Sequence, residues 1–577
     1  MGDRIESREP GHADSISPVT AGPGTKEEST PANAWNSSLD PSVGDDIRYP
    51  DIRQSLPVVI AVFVSLFCVS LDQTILATAV PRITDDFHTM KDVAWYGSSF
   101  LFVLAAAQLV WGKLYTMYPA KWVFLAGLTI FEIGSLLCGL APSSAALIAG
   151  RSIAGLGAGA IEVGTFIIIA YVIPLHKRPI YMSLSEGIYG GASVAGPLPY
   201  GRLGGVFTDH VSWRWCFYIN IPLGAVSAVV IIYLLPLNRP PAGNLTPSQK
   251  LQSMDLLGTV FLVPGVVTLL LALQWGGSQY PWSNWRVILL FVVCAALLAI
   301  FVGLQCCYTE HATLPPRIVG NRNMLGAIWS YLRPLIHQLR SCLTRAPPPW
   351  LQMPIWFQAV KGTTATKSGL MILPTELGVT MAALAGGVLI SVVGYYTPFL
   401  ITSSVLSTVG AGLLTTLHAS SGLGPCLGYQ VIMSVGFGLG FQQTMLIPQV
   451  VFTGTDSVIA LAILPFVQTL SGSISLTIAE NVFRNRLASS VQDRAPSLDP
   501  SAVLDGGATV IRDQVPARLL PDVLEAYSHA LTQTFYVCVA MSALSLLGSA
   551  SLQWKSIRGK EDPEMAGQEG ENENKGA

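Results

Sequence analysis

The sequence predicts an all-α protein that crosses a lipid bilayer many times, and two observations carry that expectation. Of its 577 residues 51% are hydrophobic and only 12% are charged, whereas a soluble domain carries about 25% charged residues. The apolar residues also gather into blocks of about 18 or more, long enough for a helix to span a ~30 Å hydrocarbon core. A closed barrel, the other spanning solution, would show alternation in place of continuous apolar runs.

Taken in order, residues 1–53 are polar and rich in Gly, Pro, Ser and acids, the composition of a disordered cytoplasmic tail. The first apolar block opens only near Leu56, so no cleavable signal peptide is expected. Thirteen blocks follow, at about 57–80, 95–112, 122–141, 145–173, 181–200, 214–236, 255–275, 286–307, 367–393, 396–417, 426–448, 457–480 and 531–554. A fourteenth is expected between 322 and 355 and is doubtful there. The expected units are a six-helix bundle over 54–237, a linker with two additional helices over 238–320, and a second bundle over 321–554. Residues 484–530 read as an external loop and 555–577 as a cytoplasmic tail.

Positive charge sets orientation. With the N-terminal tail cytoplasmic, the first four inner loops carry Lys113, Lys121, Lys177, Arg178, Arg239, Lys250, Arg317 and Arg322, and the outer loops only Arg82, Lys91 and Arg202, with Arg214 and Arg286 at helix edges. An internal repeat supports two halves: Gly112 and Phe124-Leu125 recur as Gly387 and Phe399-Leu400 at an offset of 275. Gly155, Gly157 and Gly159 recur as Gly436, Gly438 and Gly440 at an offset of 281. Such symmetry puts a site between the halves.

Charged residues inside apolar helices are costly and usually work for their place. Arg151 sits about six residues after the outer start of the fourth helix, and Asp72 about six before the outer end of the first. At 1.5 Å per residue both lie ~9 Å below the outer edge, where they can pair, either for proton coupling or as a static structural pair. Glu162, eleven residues beyond Arg151, returns to within ~20° of the same face and is a candidate second protonation or cation site. Glu132, Glu186, Glu376 and Glu480 are either cavity carboxylates or interfacial ones. Gln73, Gln108, Gln442, Gln443 and Gln468, with Trp95 and Tyr96, offer an uncharged cavity lining suited to bulky amphipathic compounds, or helix–helix packing. Lys113 and Lys121 either latch the inner face or merely follow the charge rule. Gly112, Gly155, Gly159, Gly191, Gly196 and Pro197 are candidates for close helix packing, bending and gating. The nine cysteines are scattered without metal-ligand spacing.

These segments resemble the major facilitator superfamily, in its fungal fourteen-helix drug:proton antiporter branch. The residues that carry the resemblance are Leu71–Ile83, Trp95-Tyr96-Gly97-Ser98-Ser99, Arg151–Gly159, the glycine-proline set Gly187, Gly191, Gly196 and Pro197, Trp213–Asn220 and Pro354–Gly362. The resemblance implies two pseudo-symmetric six-helix bundles plus two helices, with Arg151–Gly159 as a proton-coupling motif and Gly187–Pro197 as an antiporter motif. Three departures stand out. Thr116 replaces an aspartate in the loop after the second helix, so a full charge-relay latch cannot form. Pro199–Arg202 looks inserted. Residues 327–353 carry Arg333, Arg340, Arg345 and Pro347-Pro348-Pro349, which neither insert cheaply nor continue a helix; they read as non-family sequence or as a divergent buried segment.

The resulting expectation is proton-driven export of lipophilic small molecules such as drugs or fungal toxins. The alternatives are an importer or vacuolar carrier of basic amino acids or siderophores, or a non-transporting family member. No cofactor is expected, only a proton gradient; the partners are a small-molecule substrate, protons and the lipid bilayer, with no nucleic acid and a monomeric chain. The plasma membrane is the expected site, with the vacuolar membrane as alternative. No phosphate loop, nucleophile elbow or H-E-x-x-H is present, so an enzyme is not expected.

Overall fold

The computed structural model describes residues 50–89, 92–195, 212–235, 246–277, 279–308, 312–331, 363, 367, 370–418, 420–498, 503 and 515–558. Six helices form the N-half: α1 (Ile52–Phe87), α2 (Val93–Met117), α3 (Ala120–Gly139), α4 (Ser144–Val172), α5 (Arg178–Ala195) and α6 (Asn220–Leu234), the last entered through the turn Trp215–Tyr218. A hairpin follows, α7 (Leu256–Trp275) and α8 (Trp285–Cys307). The C-half holds α9 (Arg322–Ser330), α10 (Leu373–Val393), α11 (Thr397–Leu414), α12 (Leu423–Gly440), α13 (Gly454–Arg494) and α14 (Leu520–Ser551). Among the described residues, twelve stretches are long and apolar enough to cross a membrane.

Local chemistry explains several helix ends. The Ser143 hydroxyl accepts from Ala146 N at 3.3 Å and caps α4, and the Asn321 amide oxygen accepts from Asn323 N at 2.9 Å and caps α9. Gly394, at φ 84°, supplies the left-handed residue that ends α10. α12 gives way to a 3₁₀ turn at Gln442–Met445 before Leu446–Val451. Pro448 explains the break, because it cannot donate to the carbonyl of Thr444.

The core sits where helices approach on glycine. A Cβ on Gly155 would fall 2.3 Å from the Phe100 carbonyl of α2, and one on Gly157 2.3 Å from Phe131 N of α3. α4 therefore packs backbone to backbone on both neighbours. In the C-half α12 packs likewise: Gly436 approaches Ser407 N of α11 at 2.3 Å and Gly438 the Val379 carbonyl of α10 at 2.2 Å. By partner helix, Gly157 matches Gly436 and Gly159 matches Gly438, so the register is an offset of 279 and the offset of 281 is corrected. Evenly spaced glycines still match at two of three positions when slid by two, with Ser434 then opposite Gly155. The offset of 275 reappears across the halves. Gly112 brings α2 against Ala462 of α13, and Gly387 brings α10 against Ser183 and Pro179 of α5. These two crossings are related by the pseudo-two-fold axis.

Four boundaries differ from the sequence reading. α1 continues through Pro81 to Phe87, well past Thr78. The stretch 484–530 is not a loop throughout, because α13 runs helically to Arg494 and α14 begins at Leu520. Leu487 and Val491 of α13 pack with Val523 and Tyr527 of α14 in their own apolar cluster. Residues 555–558 dock on the α10–α11 turn, with Ile557 N donating to the Gly394 carbonyl at 2.9 Å, so the tail proper starts later. Of the atypical stretch, 327–331 is described, and α9 packs on α14 with Trp329 Nε1 donating to the Leu544 carbonyl at 2.7 Å. Residues 332–353 lie outside the described residues, as do 199–202, Gly196, Pro197 and 354–362.

Candidate functional site

The N-half encloses a buried ion pair. Asp72 of α1 accepts from Arg151 Nη1 of α4, with both side chains at most 1% exposed. Arg151 Nε donates to the Tyr96 carbonyl of α2 at 2.9 Å, and its guanidinium lies 4.5 Å from the Phe100 ring centre and 6.0 Å from that of Phe217. The second Asp72 oxygen accepts from Asn220 Nδ2 of α6 at 3.4 Å, and the same amide donates to Ser135 Oγ of α3 at 3.3 Å. Five helices therefore meet around one pair of charges. Because α1 extends to Phe87, Asp72 is not six residues from a helix end; the partners meet all the same.

Glu162 stands nearer the seam between the halves. One oxygen accepts from Tyr189 of α5 at 2.8 Å and the other from Gln108 Nε2 of α2 at 3.0 Å. Gln108 Nε2 also lies 3.4 Å from Thr469 Oγ1 of α13, which links this carboxylate to the C-half. Gln442 and Gln443 emerge from the 3₁₀ turn toward α5. Gln442 donates to Glu186 at 3.2 Å, and Gln443 donates to Ser183 Oγ at 2.7 Å. One level further in, Arg178 Nη1 donates to Gln449 Oε1 at 2.9 Å, while its other nitrogens hold the Ile173 and Ala170 carbonyls. The Arg317–Asp456 ion pair, 2.7 Å, joins the segment before α9 to the first turn of α13.

Several candidate residues occupy other places than expected. Tyr96 is fully buried between α2 and α4, its hydroxyl donating to Ser144 at 2.9 Å, so it does not line a cavity. Gln108, Gln442 and Gln443 are buried and bridge helices. Gln73 is buried on α1, and Trp95 and Gln468 are half-buried. Lys121 donates to the Ile232 carbonyl at 2.5 Å, satisfying the last turn of α6 within the N-half, so it latches nothing between the halves. Lys113 is buried on α2 within electrostatic reach of Asp255, Arg317 and Asp456. Thr116 turns its hydroxyl back to the Lys113 carbonyl at 2.7 Å. Gly191 is exposed and a Cβ there meets no heavy atom within 4 Å among the described residues, whereas Gly190 makes the approach, 2.6 Å from Thr380 Oγ1. Gly191 is therefore not a packing glycine here.

Tyr189 was not singled out from the sequence, and Asn220 and Arg178 entered it only as the end of Trp213–Asn220 and as an inner-loop charge. Arg178 is indistinguishable there from an ordinary inner-loop charge. Asn220 carried a signal, as an amide at the mouth of an apolar helix.

What the arrangement offers is a charge pair that one proton can break. The family model for the Major Facilitator Superfamily matches residues 62–476. The chain is 56% identical over 518 residues to the MFS-type transporter ungB of Aspergillus violaceofuscus, covering 90% of this chain and 92% of that one. It is 45% identical over 510 residues to the MFS-type efflux pump MFS1 of Trichophyton rubrum, covering 87% and 92%. With the efflux pump roqT of Penicillium rubens it shares 45% over 502 residues, covering 86% and 90%. The fold is similar to that of the proton:xylose symporter XylE, with a TM-score of 0.53 at 12% identity, over 86% of this chain and 95% of that one. The chain is thus a multi-pass membrane transporter and no enzyme, and it belongs to the major facilitator superfamily, within the fungal efflux branch.

Proposed function

We propose that this transporter exports lipophilic small molecules, drugs or fungal secondary metabolites, in exchange for protons, from the plasma membrane. The observation that carries the reading is the buried Asp72–Arg151 pair. As an ion pair it draws α1 and α4 together; once Asp72 is protonated the attraction falls to a neutral hydrogen bond. Arg151 keeps the Tyr96 carbonyl and the faces of Phe100 and Phe217, so the released charge has somewhere to stay. α1 is in turn bonded to α5 through Thr74 Oγ1 and the Ala192 carbonyl, 3.2 Å apart. α5 is the helix that meets the C-half at Gln442, Gln443 and Gln449. Protonation at Asp72 therefore biases the seam by its differential effect on two arrangements. The names of the fungal relatives support the outward direction.

Inverted vesicles from cells expressing the chain test this, with rhodamine 6G as the transported probe and an acid lumen as the drive. The wild type is expected to accumulate dye in a gradient-dependent way, and Asp72→Asn to lose that dependence. The double variant Asp72→Asn with Arg151→Gln controls for an uncompensated buried arginine. An Asp72→Asn protein with the wild-type pH dependence sinks the reading. Fluorescent tagging of the chain in fungal cells checks the membrane.

A further inference from the structure

A second carboxylate lies one layer below the ion pair, and it has the surroundings of a proton carrier. Glu132 is in the middle of α3, within Phe131-Glu132-Ile133-Gly134. Its side chain is received by Gly224 of α6, where any Cβ would stand 1.8 Å from Glu132 Oε1. Both carboxylate oxygens are shut off from solvent and neither finds a hydrogen-bond partner among the described residues. A carboxylate anion so placed would be a buried charge without compensation.

Its neighbours connect it to the pair above. On α3, Ser135 is three residues toward the outer face; on α6, Asn220 is four residues toward it. These are the two residues that meet at Asn220 Nδ2, which also reaches Asp72. Glu132 and Gly224 thus form the next layer inward, about one 5.4 Å turn away. Asp72 acts electrostatically on Glu132 directly. The other titratable or charged groups around this site are Cys68 on α1, Cys138 on α3, Arg151 on α4 and Cys216 in the turn before α6. α6 itself adds only Asn220, Gly224 and Ser227, none of which titrates. Arg151 is engaged by Asp72, leaving Glu132 without a cation of its own among these groups.

We propose that Glu132 is a second proton-carrying residue, which shares one proton with Asp72 and holds it in this conformation. The step balances within the site. When the proton passes inward, the O–H bond at Asp72 breaks and one forms at Glu132, Asp72 regains its charge, and Arg151 regains its partner. The net charge of the site does not change. Glu132 also lies on the cytoplasmic side of Asp72, the direction in which influx must run. The inference rests on the proton-coupled reading above.

Two measurements on the full chain test it. Infrared spectra of the purified protein are expected to show a carboxylic-acid C=O band that Glu132→Gln removes and whose titration midpoint moves in Asp72→Asn. In inverted vesicles, Glu132→Gln is expected to lose gradient-driven rhodamine 6G uptake while retaining dye-for-dye counterflow. Glu132→Asp is expected to restore the drive with a displaced pH profile. Glu132→Gln with wild-type drive and pH profile overturns the proposal. Loss of counterflow together with drive in both variants overturns it too, because that marks a purely structural residue. A wild type without gradient dependence removes the coupled reading and this proposal with it. A gradient-driven wild type without the infrared band removes Glu132 alone.

Discussion

Arg151 heads the large side chains that are fully buried, and its geometry explains why a lysine cannot replace it. The guanidinium divides its donors between the Asp72 carboxylate and the Tyr96 carbonyl and presents its flat face to Phe100. A lysine keeps one charge but is a point donor on a flexible stem. Arg151→Lys is expected to lose the second, charged bond to the Tyr96 carbonyl, at about 1.5–3 kcal/mol. A lower apparent melting temperature and lost proton-driven dye uptake should appear together; a variant matching the wild type in both would refute this account. The pairing itself could be anticipated from the sequence, from two opposite charges within neighbouring apolar helices, although the residue count behind it failed on α1, which runs on to Phe87. Tyr96 and Gly191 were not legible. Which side of a helix faces a cavity depends on its rotation against neighbours, and an amphipathic pattern cannot supply that when every face is apolar. Asn220 shows the same limit from the other side, since its role depends on reaching a carboxylate 148 positions away in the chain.

At the scale of elements, the α7–α8 hairpin shows what a single residue can organise. Asp255, in the left-handed region at φ 45°, caps α7 by accepting from Gly258 N at 2.9 Å. Its other oxygen accepts from Gln305 Nε2 at 2.7 Å, Thr313 N at 2.9 Å and Thr313 Oγ1 at 2.8 Å. One carboxylate therefore joins the start of α7, the end of α8 and the segment leading to α9. α8 offers little else to hold it, since Ile288, Leu289, Val292, Ile300 and Val302 are exposed on the surface that lipid covers. Asp255→Ala removes a helix cap and three further bonds to a charged acceptor, a loss of at least ~2 kcal/mol. Limited proteolysis of the α8–α9 segment, together with melting temperature, reads this out. An unchanged cleavage pattern would mean that the hairpin is held by lipid and the flanking helices. The order of the apolar helices could be read from composition and run length, although thirteen apolar blocks in the sequence stand against twelve spans among the described residues. The helical extensions of α13 and α14 could not, because their polar turns look like loop until Leu487, Val491, Val523 and Tyr527 are seen to share a core.

With the N-terminal tail cytoplasmic, the whole molecule is held closed on that side, and the symmetry of that closure makes a prediction. The bonds across the seam, from Gln442 and Gln443 to α5 and from Arg178 to Gln449, descend from mid-membrane toward the inner rim, where Arg317 of the segment before α9 pairs with Asp456. The two glycine crossings flank them, Gly112 on Ala462 and Gly387 on Ser183 and Pro179. The offset of 275 that relates Gly112 to Gly387 was visible in the sequence, although what the match meant was not. It marks where each half must let the other come close, and such a contact cannot be inferred from either half alone. A Cβ on Gly387 would stand 2.6 Å from the Pro179 carbonyl, and one on Gly112 2.3 Å from Ala462 Cβ. Leucine at either position therefore acts as a wedge in the inner-closed arrangement and is relieved when the inner ends part. Overpacking of this kind costs about 1–3 kcal/mol, and 1.4 kcal/mol shifts a two-state population about tenfold. Spin labels on the exposed residues Lys177 and Tyr395, one on each half at the cytoplasmic face, report the separation. Both Gly112→Leu and Gly387→Leu are expected to enrich the longer distances, because the pseudo-two-fold axis makes the two wedges equivalent. If only one does, the halves do not rock symmetrically; if neither does, the glycine crossings are not the gate. Acidification should move the same distances in the wild type and leave them unmoved in Asp72→Asn, which ties the seam to the charge pair that α1 and α5 connect to it.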